Sequence, residues 1–151
     1  MKWNEFEKVT VKKGTTVLIV RARFNEAVTA GLLAGAHKAL IECGVVQKNI
    51  REITVPGSYD IPYGIIAGTK KKKPHAIIVL GAIIKGETKH DEYIANATFG
   101  TVHTLQTALK IPIGLGIITT NTKEQAEARS ADSDGNVGYQ AASAVAELLG
   151  L

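Results

Sequence analysis

His90 closes the run Gly81-Ala82-Ile83-Ile84-Lys85-Gly86-Glu87-Thr88-Lys89-His90, whose residue types suit anion binding beside a general base. Thr88 and Asp91 have the spacing of a capping box, so a helix is expected to open there. Unpaired N–H groups at a helix start attract an anion, and the helix dipole adds to that attraction. An imidazole in the first turn would stand beside the bound group, within reach of protons that must move. The chemistry is that of a phosphate cradle with a base at its rim. The plain alternative is an ordinary strand-to-helix connection with a surface histidine.

Elements that must position this run follow from periodicity. Thr16 to Val20 reads as a buried strand, Asn25 as a helix cap, and Val28, Leu32, Ala36, Ala39, Leu40 and Cys43 as a helical stripe stopped by Gly44. Ile50 to Val55 is a second strand, ended by Pro56-Gly57, and Ile61 to about Lys72 a helix with Pro62 in its first turn. The third strand covers 76–80 and extends towards Ile84; Ile94, Ala97, Thr101, Leu105 and Leu109 mark a helix from about 89 to 110. Ile113 to Ile118 is the fourth strand, and Thr122 with Gln125 forms another capping box for a helix to about Ser130. Ala141, Val145, Leu148 and Leu149 stripe the last helix. Near-continuous apolar strands alternating with helices predict an α/β three-layer sandwich: a four-stranded parallel sheet with helices on both faces. Residues 1–15, with Trp3, Phe6, Val9 and Val11, are expected to form an arm or an extra edge strand.

In such sheets ligands bind beyond the carboxyl ends of the strands. The polar and unusual residues collect there: Arg23, Phe24 and Asn25; Pro56 to Asp60; residues 81–90; and Thr119 to Thr122, with Arg129 further on.

Composition bounds the rest. The chain has 151 residues, 45% hydrophobic and 21% charged, and is expected to fold as a single domain, 1–151. One cysteine, Cys43, excludes an intrachain disulfide framework and fits a reducing, cytoplasmic setting. Met1-Lys2-Trp3-Asn4-Glu5 leads into polar sequence rather than an apolar leader core. The longest apolar stretch, around 76–84, is too short to span a bilayer, so no membrane partner is expected. Net charge is +4, and Lys70 to Lys73 supply four of the positives, read as the solvated end of a helix. Aromatic residues make up 5%, too few for the stacking platforms of single-stranded nucleic-acid binders, so no nucleic acid is expected. His37, His75 and His103 fall on separate elements, so no metal site is expected.

The set Arg23-Phe24-Asn25, Val55-Pro56-Gly57-Ser58-Tyr59-Asp60-Ile61-Pro62, Gly86-Glu87-Thr88-Lys89-His90 and Glu124-Gln125-Ala126-Glu127-Ala128-Arg129 closely resembles the 6,7-dimethyl-8-ribityllumazine synthases. Order and spacing match along essentially the whole chain. The resemblance implies a flavodoxin-like fold and a step of riboflavin biosynthesis. Such enzymes condense 5-amino-6-(D-ribitylamino)uracil with 3,4-dihydroxy-2-butanone 4-phosphate, releasing phosphate and water, with no metal or organic cofactor. By resemblance, Phe24 stacks on the pyrimidine with Asn25 beside it; Ser58, Tyr59 and Asp60 meet the ribityl chain; and Ala82 and Ile83 line the heterocycle. Gly86, Glu87 and Thr88 hold the phosphate, His90 moves protons, and Arg129 reaches the phosphate from a neighbouring subunit of a homopentamer. Pentamers of the family stay free, pair or close into shells, and riboflavin synthase is a candidate partner.

Three positions depart from the family's usual residues. Asp60 stands where many members have glutamate, Leu115 where an aromatic ring stacks from the adjacent subunit, and Val137 where a lysine is common. Two other readings therefore stand beside the enzyme: a flavin- or lumazine-binding shell protein, and a riboflavin-synthase-type paralogue. His90 together with Arg129 favours the enzyme, because a binder needs no proton shuttle.

Overall fold

Strands β1 (Val17–Ala22), β2 (Ile50–Val55), β3 (Ala76–Ile84) and β4 (Ile113–Thr120) form one parallel sheet, ordered β2-β1-β3-β4, in a computed structural model that describes residues 6–151. Helices α1 (Glu26–Glu42), α2 (Ile61–Thr69), α3 (His90–Leu109), α4 (Lys123–Ser130) and α5 (Val137–Leu148) cover it. Period-two alternation sorts the strand side chains between two cores. Val17, Ile19, Ile78 and Leu80 pack with α1, α4 and α5, whereas Leu18, Val20, Ile77 and Val79 pack under α2 and α3. Both faces of β1 and β3 are thus dry, which explains their unbroken apolar sequences.

The strand order reverses in the middle of the sheet. β1 crosses through α1 to β2 on one side, while β3 crosses through α3 to β4 on the other. Adjacent β1 and β3 therefore flank the switch point, where a crevice opens beyond their carboxyl ends.

Some boundaries differ from expectation. β1 runs to Ala22 and β4 to Thr120 because pairing continues, Ala22 with Val55 and Ile84 with Thr120. α2 ends at Thr69, so Lys70 to Lys73 follow the helix instead of closing it. Arg51 Nη2 donates to the carbonyls of Gly68 (2.7 Å) and Lys72 (3.2 Å), which takes up helix-end acceptors and fixes the lysine turn. On α3 the buried residues are Thr98 and Val102, with Phe99, Leu105 and Leu109 beside them, while Ala97 and Thr101 face outward. Ile94, Leu105 and Leu109 of the expected stripe thus do pack on the core, while Thr98 and Val102 take the places expected for Ala97 and Thr101.

Residues 6–15 form no strand in this chain. They run along the carboxyl ends of α1 and α5, with the Val11 N–H on the Cys43 carbonyl at 2.9 Å and the Glu7 N–H on Glu147 Oε1 at 2.8 Å. Trp3 lies outside the described residues. Cys43 caps α1 half-buried, and burial, with Glu42 second, pushes its thiol pKa up, so it is no activated thiolate. α1 and α5 meet closely at Gly138, where any Cβ would overlap the Leu32 carbonyl.

Candidate active site

A cleft of about 390 Å³ opens at the switch point, beyond the carboxyl ends of β1, β2 and β3 and against the first turns of α3. Phe24 and Asn25 come to it from the turn after β1, Ser58 and Tyr59 from the turn after β2, and Ala82 and Ile83 from the end of β3. Gly86, Thr88 and His90 close its other end.

Each turn is held by bonds that the local sequence alone does not announce. The N–H groups of Arg23 and Phe24 donate to the carbonyls of Val55 (2.8 Å) and Pro56 (3.0 Å), tying the turn after β1 to the turn after β2. This leaves the Phe24 ring 72% exposed at the cleft, as a stacking surface should be. Asn25 does precede α1, but in the left-handed region (φ 60°, ψ 51°), and its side chain caps no helix N–H. Instead Asn25 Nδ2 donates to the Ala82 carbonyl at 3.0 Å.

Ser58 is buried against β3 because Gly81 lies there: a Cβ at Gly81 would come within 2.6 Å of Ser58 Oγ. Thr98 of α3 adds a hydroxyl bond to the Ser58 carbonyl at 3.4 Å. Asp60 Oδ2 accepts the Gly57 N–H at 2.9 Å, so this carboxylate holds its own turn and is not part of the cleft wall.

At the start of α3, the expected capping box of Thr88 with Asp91 is not formed. Lys89 is the N-cap and uses no side chain; Thr88 Oγ1 accepts the N–H of His90 at 3.3 Å. Of the box expected for Thr122 with Gln125, the cap half forms, Thr122 Oγ1 accepting the Gln125 N–H at 3.2 Å, while Gln125 Oε1 passes over the Thr122 N–H and accepts from the Asn121 N–H at 2.8 Å. Gly86 has open space around its α-carbon, so a ligand can approach that backbone. Glu87 is exposed and absent from the wall.

Two expected residues stand apart from the cleft. Arg129 lines an adjoining hollow of about 610 Å³, with its Nη1 on the Gln125 carbonyl at 3.2 Å; Ile83 and Asp91 belong to both spaces. Leu115 is 46% exposed on the edge strand β4, in a smaller hollow with Phe99 and His103. It lies four residues, roughly 13 Å at the strand rise, before Thr119. Val137 starts α5 and packs on the core.

Gly57, Ile84, Asp91 and Ile94 also line the cleft, though none of the four was expected to contact a substrate. Ile94 had a signal, since a helix starting at His90 brings residues four apart onto one face. Among the described residues, no group of three or more His, Cys, Asp or Glu is placed to hold a metal ion, and no helix is long and apolar enough to cross a membrane.

The sequence pattern that defines the 6,7-dimethyl-8-ribityllumazine synthases matches residues 14–151. The chain belongs to this family. Among similar lumazine synthases, that of Kosmotoga olearia is 40% identical, across 97% of this chain and 94% of its own. That of Campylobacter hominis is 40% identical across 95% and 92%, and that of Campylobacter jejuni 35% across 95% and 94%. The lumazine synthase match begins just before β1 and takes in every strand and every loop that builds the cleft. Its four-stranded parallel sheet in a three-layer α/β arrangement agrees with the flavodoxin-like fold implied by the resemblance.

Proposed function

We propose that this chain makes 6,7-dimethyl-8-ribityllumazine from 5-amino-6-(D-ribitylamino)uracil and 3,4-dihydroxy-2-butanone 4-phosphate, releasing phosphate and water. The observation that carries the reading is the cleft at the switch point, where an exposed aromatic ring, a narrow apolar floor and an anion-suited helix start with a histidine meet. A flat heterocycle fits between Phe24 and the Ala82–Ile83 edge. The ribityl hydroxyls face the turn of Ser58 and Tyr59, whose geometry Asp60 maintains. The phosphate of the second substrate takes the backbone of Gly86 to Thr88 and the Thr88 hydroxyl, while the Glu87 side chain stays in solvent.

The chemistry asks for little more. The 5-amino group adds to the ketone and one water leaves to give an imine; loss of phosphate gives an enol that tautomerises to a carbonyl, and addition of the ribitylamino nitrogen to that carbonyl closes the ring with loss of a second water. Each step moves a proton, a task this reading gives to the His90 imidazole, which lines the cleft. Departing phosphate concentrates negative charge, which oriented amides and a guanidinium stabilise.

Arg129 and Leu115 lie outside their own chain's cleft, which supports a site shared between copies in a head-to-tail ring, a pentamer or an assembly of pentamers. The chain then works as one unit in the cytoplasm, where a single unpaired thiol is at home. The test is an absorbance assay with both substrates. Lumazine formation above the uncatalysed rate supports the reading; tight lumazine binding without turnover would move it to the binding-protein alternative.

A further inference from the structure

We infer that Asn25 is a positioning residue that sets the width of the ring slot by tying the turn bearing Phe24 to the end of β3. The inference rests on the proposed function for its catalytic consequence, and on three geometric observations for its basis.

The first is where the ladders stop. β3 pairs with β1 only as far as Leu80 with Arg21, yet continues alongside β4 to Ile84 with Thr120. The Ala82 carbonyl, two residues past the last β1 pair, has therefore lost its strand neighbour. Buried carbonyls need partners, and Asn25 Nδ2 supplies one at 3.0 Å from 57 residues away. The side-chain amide stands in for the missing strand.

The second is backbone conformation. Asn25 and Lys110 are the non-glycine residues with positive φ among those described, and asparagine tolerates the left-handed region better than most. This conformation turns the chain sharply from β1 into α1, and the Asn25 carbonyl accepts the N–H groups of Val28 and Thr29, both at 3.0 Å.

The third is what hangs on the turn. Phe24 precedes Asn25, and Ala82 with Ile83 forms the opposite edge of the cleft. One hydrogen bond thus spans the two sides between which a planar ring must slide. Glycine would keep the left-handed turn but offer no donor. Aspartate would keep the turn and the shape, yet its carboxylate would face a carbonyl without a proton to share.

Asn25→Gly is the informative variant, because it preserves the backbone conformation and hence the fold. In ligand-free protein, amide exchange at Arg23 and Phe24 should quicken about ten-fold, with Ile19 unchanged, since the local opening loses one restraint. Unchanged exchange overturns the inference whatever the protein catalyses. In the lumazine assay, the KM for the ribitylaminouracil should rise about ten-fold, with kcat and the KM for the phosphorylated substrate within about three-fold. Asn25→Asp should match it at neutral pH. A residue acting through Phe24 gives non-additive losses, so Phe24→Ala/Asn25→Gly should be no worse than Phe24→Ala alone. Full additivity would mean that Asn25 touches the substrate itself and would overturn the positioning role. If wild-type protein forms no lumazine, the functional reading falls, and the exchange experiment still decides the role of Asn25.

Discussion

Thr88 Oγ1 accepts the backbone N–H of His90 at 3.3 Å, so a hydroxyl that lines the cleft also anchors the first residue of α3. The loop that precedes α3 and the first turn of the helix are thus tied together where they line the cleft.

Removing that imidazole should slow the reaction without emptying the ring slot. His90→Ala is expected to lose roughly 10²-fold in turnover, with the spontaneous condensation setting the floor. Pyrimidine binding, followed by fluorescence of the lumazine product as competitor, should stay nearly constant. Wild-type turnover at saturating substrates would remove His90 from the mechanism.

Arg129 should act in a neighbour's cleft. Arg129→Ala is expected to weaken the phosphorylated substrate by ten- to a hundred-fold, about 1.5–3 kcal/mol for a charge-assisted hydrogen bond, and to leave the pyrimidine almost unaffected. Co-refolding equal amounts of His90→Ala and Arg129→Ala chains should then regenerate about a quarter of the sites in a head-to-tail ring. No gain in activity, with mixed rings verified by native mass, would place both residues in one chain's site.

Asn136 should be a stability hub. It is 2% exposed, its Nδ2 lies 3.0 Å from the carbonyls of Gly31, Ser130 and Ala131, and its Oδ1 accepts the Tyr139 N–H at 3.0 Å as the cap of α5. Asn136→Ala strands these acceptors and the cap donor, for a loss of about 3 kcal/mol in urea unfolding. Asn136→Ser restores the cap and should recover about 1 kcal/mol. A loss below about 0.5 kcal/mol for the alanine variant would contradict the hub.

Alkaline pH should act on the pair Tyr139–Glu42. Tyr139 donates its hydroxyl to Glu42 Oε2 at 2.6 Å, and this bond first, burial next, pushes the phenol up to about 12. The folded pKa exceeds the ordinary value of 10.0. The stabilisation is therefore complete below about pH 10, and is lost as pH rises towards 12, because the unfolded phenol releases its proton first. Tyr139→Phe should show a shallower fall in stability across that window. Parallel curves for both proteins would mean that the bond contributes nothing.

Much of this protein was legible in residue order. Apolar strands alternating with helical stripes are local patterns, so the four strands, the helices between them and the layered parallel sheet could be read without coordinates, and β2 falls on its expected residues. The cleft loops were legible for a related reason: once strand direction is known, Phe24, Ser58 and His90 must collect at one end. What periodicity cannot report is which donor meets which acceptor across tens of residues. Asn25 reads as a helix cap, yet its amide crosses to Ala82, because only the assembled sheet reveals that β1 stops short of β3. Thr88 and Asp91 have capping-box spacing, but the helix starts one residue later than that box requires. Asp60 reads as a ligand from its motif, and only the folded turn shows that its carboxylate also accepts the Gly57 N–H. Local pattern chose the elements and the end of the sheet where chemistry gathers; the long-range hydrogen bonds that shape the cleft, and the placement of Leu115 and Arg129 outside it, were decided only when those elements packed.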